Sequence, residues 1–216
     1  TRIRELLDIF EEKILNKIRK SLEQSTPMPF PEVQHIRREA TVIPAKDELP
    51  IEFAQNFSKA GGQFIYCSTS AELVQQLNIL QQSKGWKKIF CREPKVIELL
   101  QQQDFHAMEF SNFMECEAAI TDCEKLIART GSILMSSSQT SGRTTSIYAP
   151  VHICIAFTNQ IVYDIYEGLD YVQQSKEKLP SLITLATGPS RTADIEKTLV
   201  VGVHGPKEVY CFVVEE

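Results

Sequence analysis

Apolar and polar positions open the chain with a helical rhythm. In IRELLDIFEEKILNKIRKSL, residues Ile3, Leu6, Leu7, Phe10, Ile14, Ile18 and Leu22 recur every three or four positions. That spacing predicts a helix of about six turns with one greasy stripe. Such a helix packs on its own domain, or its length and protrusion suit it to grip a second copy and form a homodimer. STPMPFPE then breaks the rhythm with Pro27, Pro29 and Pro31 and reads as a linker. Residues 1–29 are therefore assigned to an amphipathic helix and proline-rich linker, and 30–216 to the main domain.

Beyond the linker the period alternates. Helical patterns are predicted over 49–60, 70–82 (with a Ser or Thr cap), 94–103 (Pro94 in its first turn), 123–129 and 161–176. Short apolar runs predict strands at 62–67, 87–91, 117–121, SILMSS after Gly131, 151–157, 181–187, 199–203 and 208–214. Alternating β and α units with continuous apolar strands predict an α/β fold: three layers, with a mostly parallel sheet flanked by helices. The last strands, joined by tight Gly-Pro turns, are expected as antiparallel additions at one edge. No internal repeat or low-complexity segment is visible.

Composition narrows the function classes. At 216 residues, 43% apolar and 24% charged, the chain suits one large domain with a small appendage. Its net charge of −5, with no long Lys/Arg block, disfavours nucleic-acid binding. No apolar run reaches the roughly 18–20 residues of a membrane span. The charged start is unlike a secretory signal, although a sequence beginning at Thr1 reads as one trimmed of its native leader. Six scattered cysteines, mostly inside apolar runs and never spaced Cys-x-x-Cys, look like reduced buried thiols of a cytoplasmic protein. An iron–sulfur or zinc site made by this chain alone is not expected.

The most informative stretch is ATGPSRTADIEKTLVVGVHGPKEVY, Ala186 to Tyr210. An apolar strand stops at Gly188-Pro189, and Ser190, Arg191, Thr192, Asp194 and Glu196 follow, read as the entry to a helix. Backbone N–H groups at such a turn and a helix N-terminus form a cradle for phosphate or carboxylate, with Arg191 as a forked donor. Asp194 and Glu196 in a first turn also satisfy the helix dipole with no ligand, so a structural connection is the competing reading. A second candidate is RTGSILMSSSQTSGRTTSIYAPVH, Arg129 to His152, where a strand enters a Ser/Thr/Gly-rich loop holding Arg143. That loop either holds an anion beside Arg143 or is a solvated surface loop.

The histidines differ in promise. His204, before Gly205-Pro206, suits a base, a ligand or a turn residue. His152 reads as a strand-end histidine with one satisfied ring nitrogen, and His106 lies in a loop without context. An Asp194–Glu196–His204 metal site matches no standard spacing and ranks below the structural reading. No nucleophile elbow, Walker A sequence or dinucleotide fingerprint is present, so no catalytic residue is assigned.

Taken together, ILNKIRKSL, ARTGSILM, SGRTTSIYAPVHICIAF and above all TGPSRTADIEKTLVVGVHGPKEVYCFVVEE resemble the LUD-domain family, the group of the lactate-utilisation protein C and its relatives. The similarity runs from about Ile14 to Glu216. Gly188, Pro189, Ser190, Arg191, Thr192, Ala193, Asp194, Ile195 and Glu196 match one signature; Gly202, Val203, His204, Gly205 and Pro206 match the other. Arg143 and His152 sit where the family's Gly-Arg loop and P-x-x-H element fall. The chain departs at Arg129, where relatives usually carry an acid before Thr-Gly, so an acid/base role does not transfer there.

The resemblance implies a fold like those of ribose-5-phosphate isomerase, glucosamine-phosphate deaminase and CoA transferases. It also implies a role in oxidising L-lactate to pyruvate beside iron–sulfur partner subunits, with no cluster or other cofactor in this chain. A small anionic ligand is expected at Arg143, Gly188, Pro189, Ser190, Arg191, Thr192, Asp194, Glu196, His204 and Gly205. The rival readings are a stand-alone enzyme or sensor for a sugar phosphate or acyl-CoA, and a purely structural subunit.

Overall fold

The apolar runs assemble into a parallel sheet, and the polar stretches between them supply its helices and turns. The computed structural model describes residues 2–23, 45–105, 108–109, 113–195 and 198–215. Contacts divide the chain into two units, Thr1–Pro44 and Ala45–Glu216. Helix α1 (Arg2–Leu22) belongs to the first, and Ile14, Ile18 and Leu22 of its stripe are exposed. The proline-rich segment and His106 lie outside the described residues.

In the second unit, β1 (Gln63–Cys67), β2 (Ile89–Cys91), β3 (Met108–Glu109), β4 (Ala118–Thr121), β7 (Val151–Phe157) and β12 (Glu208–Val214) form a six-stranded sheet. Its order is β1-β12-β7-β4-β2-β3, and every pairing is parallel. One face is covered by α3 (Ser70–Lys84) and α4 (Pro94–Gln102). Thr69 caps α3 by accepting the Glu72 amide at 3.2 Å. Leu73, Leu77, Val96 and Leu100 join Ile120, Ile153 and Phe212 in that core.

The opposite face packs on α2 (Leu49–Lys59) and a second sheet. Phe53 and Phe57 of α2 stack with ring centres 5.4 Å apart. The second sheet orders β8 (Ile161–Val162), β5 (Lys125–Ile127), β6 (Ser132–Ser136) and β9 (Ile183–Ala186) side by side. Helix α6 (Ile165–Ser175) covers its far side through Val172, against Ile127 and Leu134. The mostly parallel sheet with its flanking layers and the N-terminal helix is the architecture read from the sequence.

Four elements differ from the sequence reading. CEKLIAR is not a helix but contains β5, because Leu126 and Ile127 are both wholly buried and point into different cores. Only the two-residue period of a strand sends neighbouring side chains to opposite faces. The 161–176 helix begins at Ile165, where the Asp164 side chain caps the Tyr166 amide at 2.9 Å. EVYCFVV is no antiparallel edge but lies between β1 and β7, since Val209, Cys211 and Val213 enter one core and Tyr210, Phe212 and Val214 the other.

The fourth difference bears on the site. No helix follows Gly188-Pro189. Instead β10 (Arg191–Ile195) and β11 (Thr198–Val201) make an antiparallel hairpin, pairing Arg191 with Val201 and Thr192 with Val200. The β-branched residues Thr192, Ile195, Thr198, Val200 and Val201 favour that extended form.

Candidate functional site

Two distant stretches of sequence meet around one cavity of about 480 Å3. One runs through the loop after β6 and the short helix α5 (Thr145–Tyr148) to Pro150. The other is the loop between β11 and β12, residues 202–207. The Lys207 amide donates to the Pro150 carbonyl at 2.7 Å and joins the two walls where β7 and β12 begin.

The cavity's polar groups are Arg143, Thr144, His204 and Lys207. Its apolar wall is Ile147, Tyr148, Pro150 and Val203, with Gly202 and Gly205 contributing backbone. Among the described residues no acid lines it. The neighbouring carboxylate, Glu208, turns away to accept from Lys84 at 2.7 Å and from the Tyr210 hydroxyl at 2.6 Å. Those bonds, Lys84's first, hold its pKa below the usual carboxylate value. The Arg143 guanidinium donates to the Ser181 hydroxyl, while His204 and Lys207 have no side-chain partner among the described residues. Two cations, a histidine and a hydroxyl around one open space can hold an anion.

The loop bearing Arg143 is gripped from inside by acids that follow the parallel strands. Glu93, after β2, is buried and accepts the Ser141 amide at 2.8 Å and the Ser141 hydroxyl. Asp122, after β4, accepts from Gln139, and Glu124 accepts from the Ser136 hydroxyl at 2.6 Å and from Lys176 at 3.1 Å. Buried Thr145 donates to the Ser141 carbonyl at 2.7 Å and fixes the start of α5. Burial and then the nearby Glu93 push the Asp122 carboxyl up to about 6.

The structure brings together Arg143, His204 and Gly205 of the residues singled out in the sequence. Ser190 stands behind them: its amide donates to the Pro206 carbonyl and its carbonyl accepts the Gly202 amide, both at 2.9 Å. The two signature segments are thus bonded together by their backbones. Gly188, Pro189 and Arg191 sit elsewhere, against the end of α2. Gly188 has φ +75°, and a β-carbon there would lie 2.5 Å from the Ala60 carbonyl oxygen. Arg191 donates to that same carbonyl and packs over Gly61, beside Pro189. Thr192 and Asp194 lie in β10, and Glu196 is outside the described residues. The helix end expected to supply a dipole to an anion does not exist at this turn.

His152 is the satisfied strand histidine that its position suggests. It is wholly buried, its Nε2 lies 2.9 Å from Thr121 Oγ1, and its Nδ1 has no partner among the described residues. Burial lowers its pKa to about 4, so the ring is neutral. All six cysteines are buried and unbridged, and burial raises the Cys91 thiol to about 12. Among the described residues no group of three or more His, Cys, Asp or Glu is placed to hold a metal ion, and no helix is long and apolar enough to cross a membrane.

Sequence reasoning missed Lys207, Tyr148 and the acids Glu93, Asp122 and Glu124. Lys207 directly follows the second signature, and the acids follow apolar runs, IFC before Glu93 and AAIT before Asp122. The acids stand just past the carboxyl ends of parallel strands, a legible place for functional groups, whereas Lys207 and the cavity lie where β7 and β12 begin. Tyr148 had no such sign.

Comparison with known proteins follows the same segments. Residues 110–214 match the LUD domain. An uncharacterized protein of Neisseria meningitidis serogroup B is 25% identical over 212 residues, 92% of this chain and 90% of that protein. Lactate utilization protein C of Bacillus subtilis is 37% identical over 103 residues, 46% of this chain and 43% of that protein. The protein of the same name from Geobacillus sp. is 35% identical over 105 residues, 47% of this chain and 44% of that protein. The match therefore spans less than half the length of these two relatives. A crystal structure of a DUF162 family protein from Deinococcus radiodurans superposes with a TM-score of 0.57 at 20% identity, covering 80% of this chain and 99% of that one. The matched domain, these relatives and that shared fold agree: residues 110–214 are similar to the LUD domain, on a fold shared with the DUF162 family structure.

Proposed function

We propose that this chain supports lactate utilisation as a subunit without a cluster of its own, binding a small anion in the cavity beside Arg143. The observation that carries the reading is the convergence of Arg143, Lys207 and His204 on one space that no acid among the described residues lines. Relatives over 105 and 103 residues that bear the name lactate utilization protein C supply the metabolic context. Conversion of L-lactate to pyruvate releases two electrons and two protons. In this reading the electrons leave through iron–sulfur partner subunits, while the present chain contributes the anion site. Pairing of two chains through the exposed stripe of α1 belongs to the same proposal, and sedimentation of the intact chain against one lacking residues 1–22 reads it out.

The test is complementation. A host lacking this chain should fail to grow on L-lactate, regain growth with the wild type, and remain deficient with Arg143→Gln combined with Lys207→Gln. Affinity capture of the wild type should bring down proteins with iron–sulfur absorbance. Growth on lactate that is indifferent to the chain overturns the role.

A further inference from the structure

The cavity is more than a carboxylate clamp. At about 480 Å3 it falls in the range, roughly 300–1,000 Å3, of pockets that enclose cofactor-sized ligands. A three-carbon hydroxy acid would occupy one corner of it. The walls also divide by chemistry: Arg143 and Lys207 come from different segments, while Ile147, Tyr148, Pro150 and Val203 offer continuous apolar surface.

Within that surface the Tyr148 ring is held ready. It packs on Phe113 with ring centres 5.2 Å apart and planes at 46°, and Phe113 packs in turn on buried Phe90 at 5.0 Å and 50°. This ladder fixes the orientation of Tyr148, yet the residue stays 53% exposed. An exposed aromatic ring with one side braced is a stacking platform, and such platforms accept planar rings of many kinds. Two cations from separate segments suit an anion with more than one charged oxygen centre.

Resting on the anion-binding reading of this cavity, we infer that its ligand is an anion carrying a planar ring, of the nucleoside-phosphate class. The phosphates lie between Arg143 and Lys207, and the ring lies against Tyr148, with Ile147 and Val203 closing the apolar side.

The test uses the intact chain and calorimetric titration with ADP (ring and charge), pyrophosphate (charge only), adenosine (ring only) and L-lactate. ADP should bind at least about tenfold more tightly than each of the others. Tyr148→Leu, which keeps apolar bulk on Phe113, and Tyr148→Ala should both reduce ADP to the affinity of pyrophosphate and leave pyrophosphate binding unchanged. Arg143→Gln with Lys207→Gln should weaken ADP and pyrophosphate together; unaltered far-ultraviolet circular dichroism shows that the variants are folded. ADP binding no tighter than pyrophosphate or lactate, or unaffected by both Tyr148 variants, overturns the ring assignment. If pyrophosphate or lactate still binds through Arg143 in that case, the anion reading stands. Failure of all four compounds to bind overturns both.

Discussion

Gly205 lies against Ser190 so closely that a β-carbon at position 205 would sit 2.8 Å from the Ser190 Cβ and 3.1 Å from its Oγ. This contact fastens the rim of the cavity to the turn that carries the other signature, beside the two backbone hydrogen bonds that join them. Gly205→Ala should cost about 1–3 kcal/mol, the usual range for forcing a methyl into filled space. Denaturant unfolding measures that loss. Ser190→Gly should recover part of it in the double variant, because the clash is with the serine side chain. A double variant no more stable than Gly205→Ala shows that the strain lies elsewhere.

Asp122 and His152 are predicted to oppose each other as pH changes. Asp122 is raised to about 6 by burial and then Glu93, with Gln139 acting the other way and Glu124 adding to the rise. Between its ordinary value of 3.8 and about 6 the folded state holds a proton that the unfolded state has lost, so stability falls as pH rises. His152 is lowered from 6.5 to about 4 by burial, so in the same interval the unfolded state holds the extra proton and stability rises with pH. The two slopes largely cancel in the wild type between about 4 and 6. Asp122→Asn removes one of them. It should stabilise the protein at pH 7 by roughly 1–2 kcal/mol, allowing for partial exposure of the group, and make stability drop on acidification below 6.5. His152→Gln, which keeps a partner for Thr121, should instead gain stability on acidification. Chemical denaturation across pH 4–7 separates the two slopes; parallel curves for both variants would contradict the assignment.

Most of the fold was legible because burial on one or both sides leaves its mark in the sequence. Val209 to Val214 alternate between two cores, and a strand apolar on both faces belongs inside a parallel sheet, so EVYCFVV already argued against an edge. The turn residues around it drew the wrong inference, because Gly205-Pro206 closes a loop between the hairpin and a parallel strand. Lys125 to Ile127 was ambiguous, since three or four apolar-rich residues fit either period. The site was legible in its segments but not in its directions. Arg143 and His204 reach the cavity, whereas Arg191, two residues from Pro189, reaches the end of α2, and local sequence does not state which way an arginine points.

Glu93 should control anion binding through the loop that carries Arg143. It is buried and holds both the amide and the hydroxyl of Ser141, two residues before Arg143. Glu93→Ala leaves those donors buried without an acceptor, a loss of about 1–3 kcal/mol, and frees the segment that carries Arg143. Affinity for pyrophosphate should fall and proteolysis within 137–144 should speed up. Glu93→Gln keeps an acceptor oxygen for the amide and should retain most of the affinity. Equal loss in both variants would mean that charge at position 93, rather than its grip on the loop, matters.

Arg129, where an acid was expected by resemblance, has a partner that explains the reversal. Its Nε donates to Asp164 Oδ2 at 2.6 Å, while Oδ1 of the same carboxylate caps α6 through the Tyr166 amide. Asp164 is the better shielded of the two, its side chain 13% exposed against 39% for Arg129. Asp164→Ala loses cap and ion pair together and should cost about 1–2 kcal/mol. Arg129→Met should cost under about 1 kcal/mol, since one partner faces water. Arg129→Glu places a second acid beside Asp164, with Glu167 in the first turn of α6, and should lower the unfolding midpoint further than Arg129→Met. Neither change at 129 should alter binding of pyrophosphate, because Arg129 does not line the cavity. A charge reversal that weakened pyrophosphate binding without lowering the midpoint would move Arg129 from the support of α6 into the site itself.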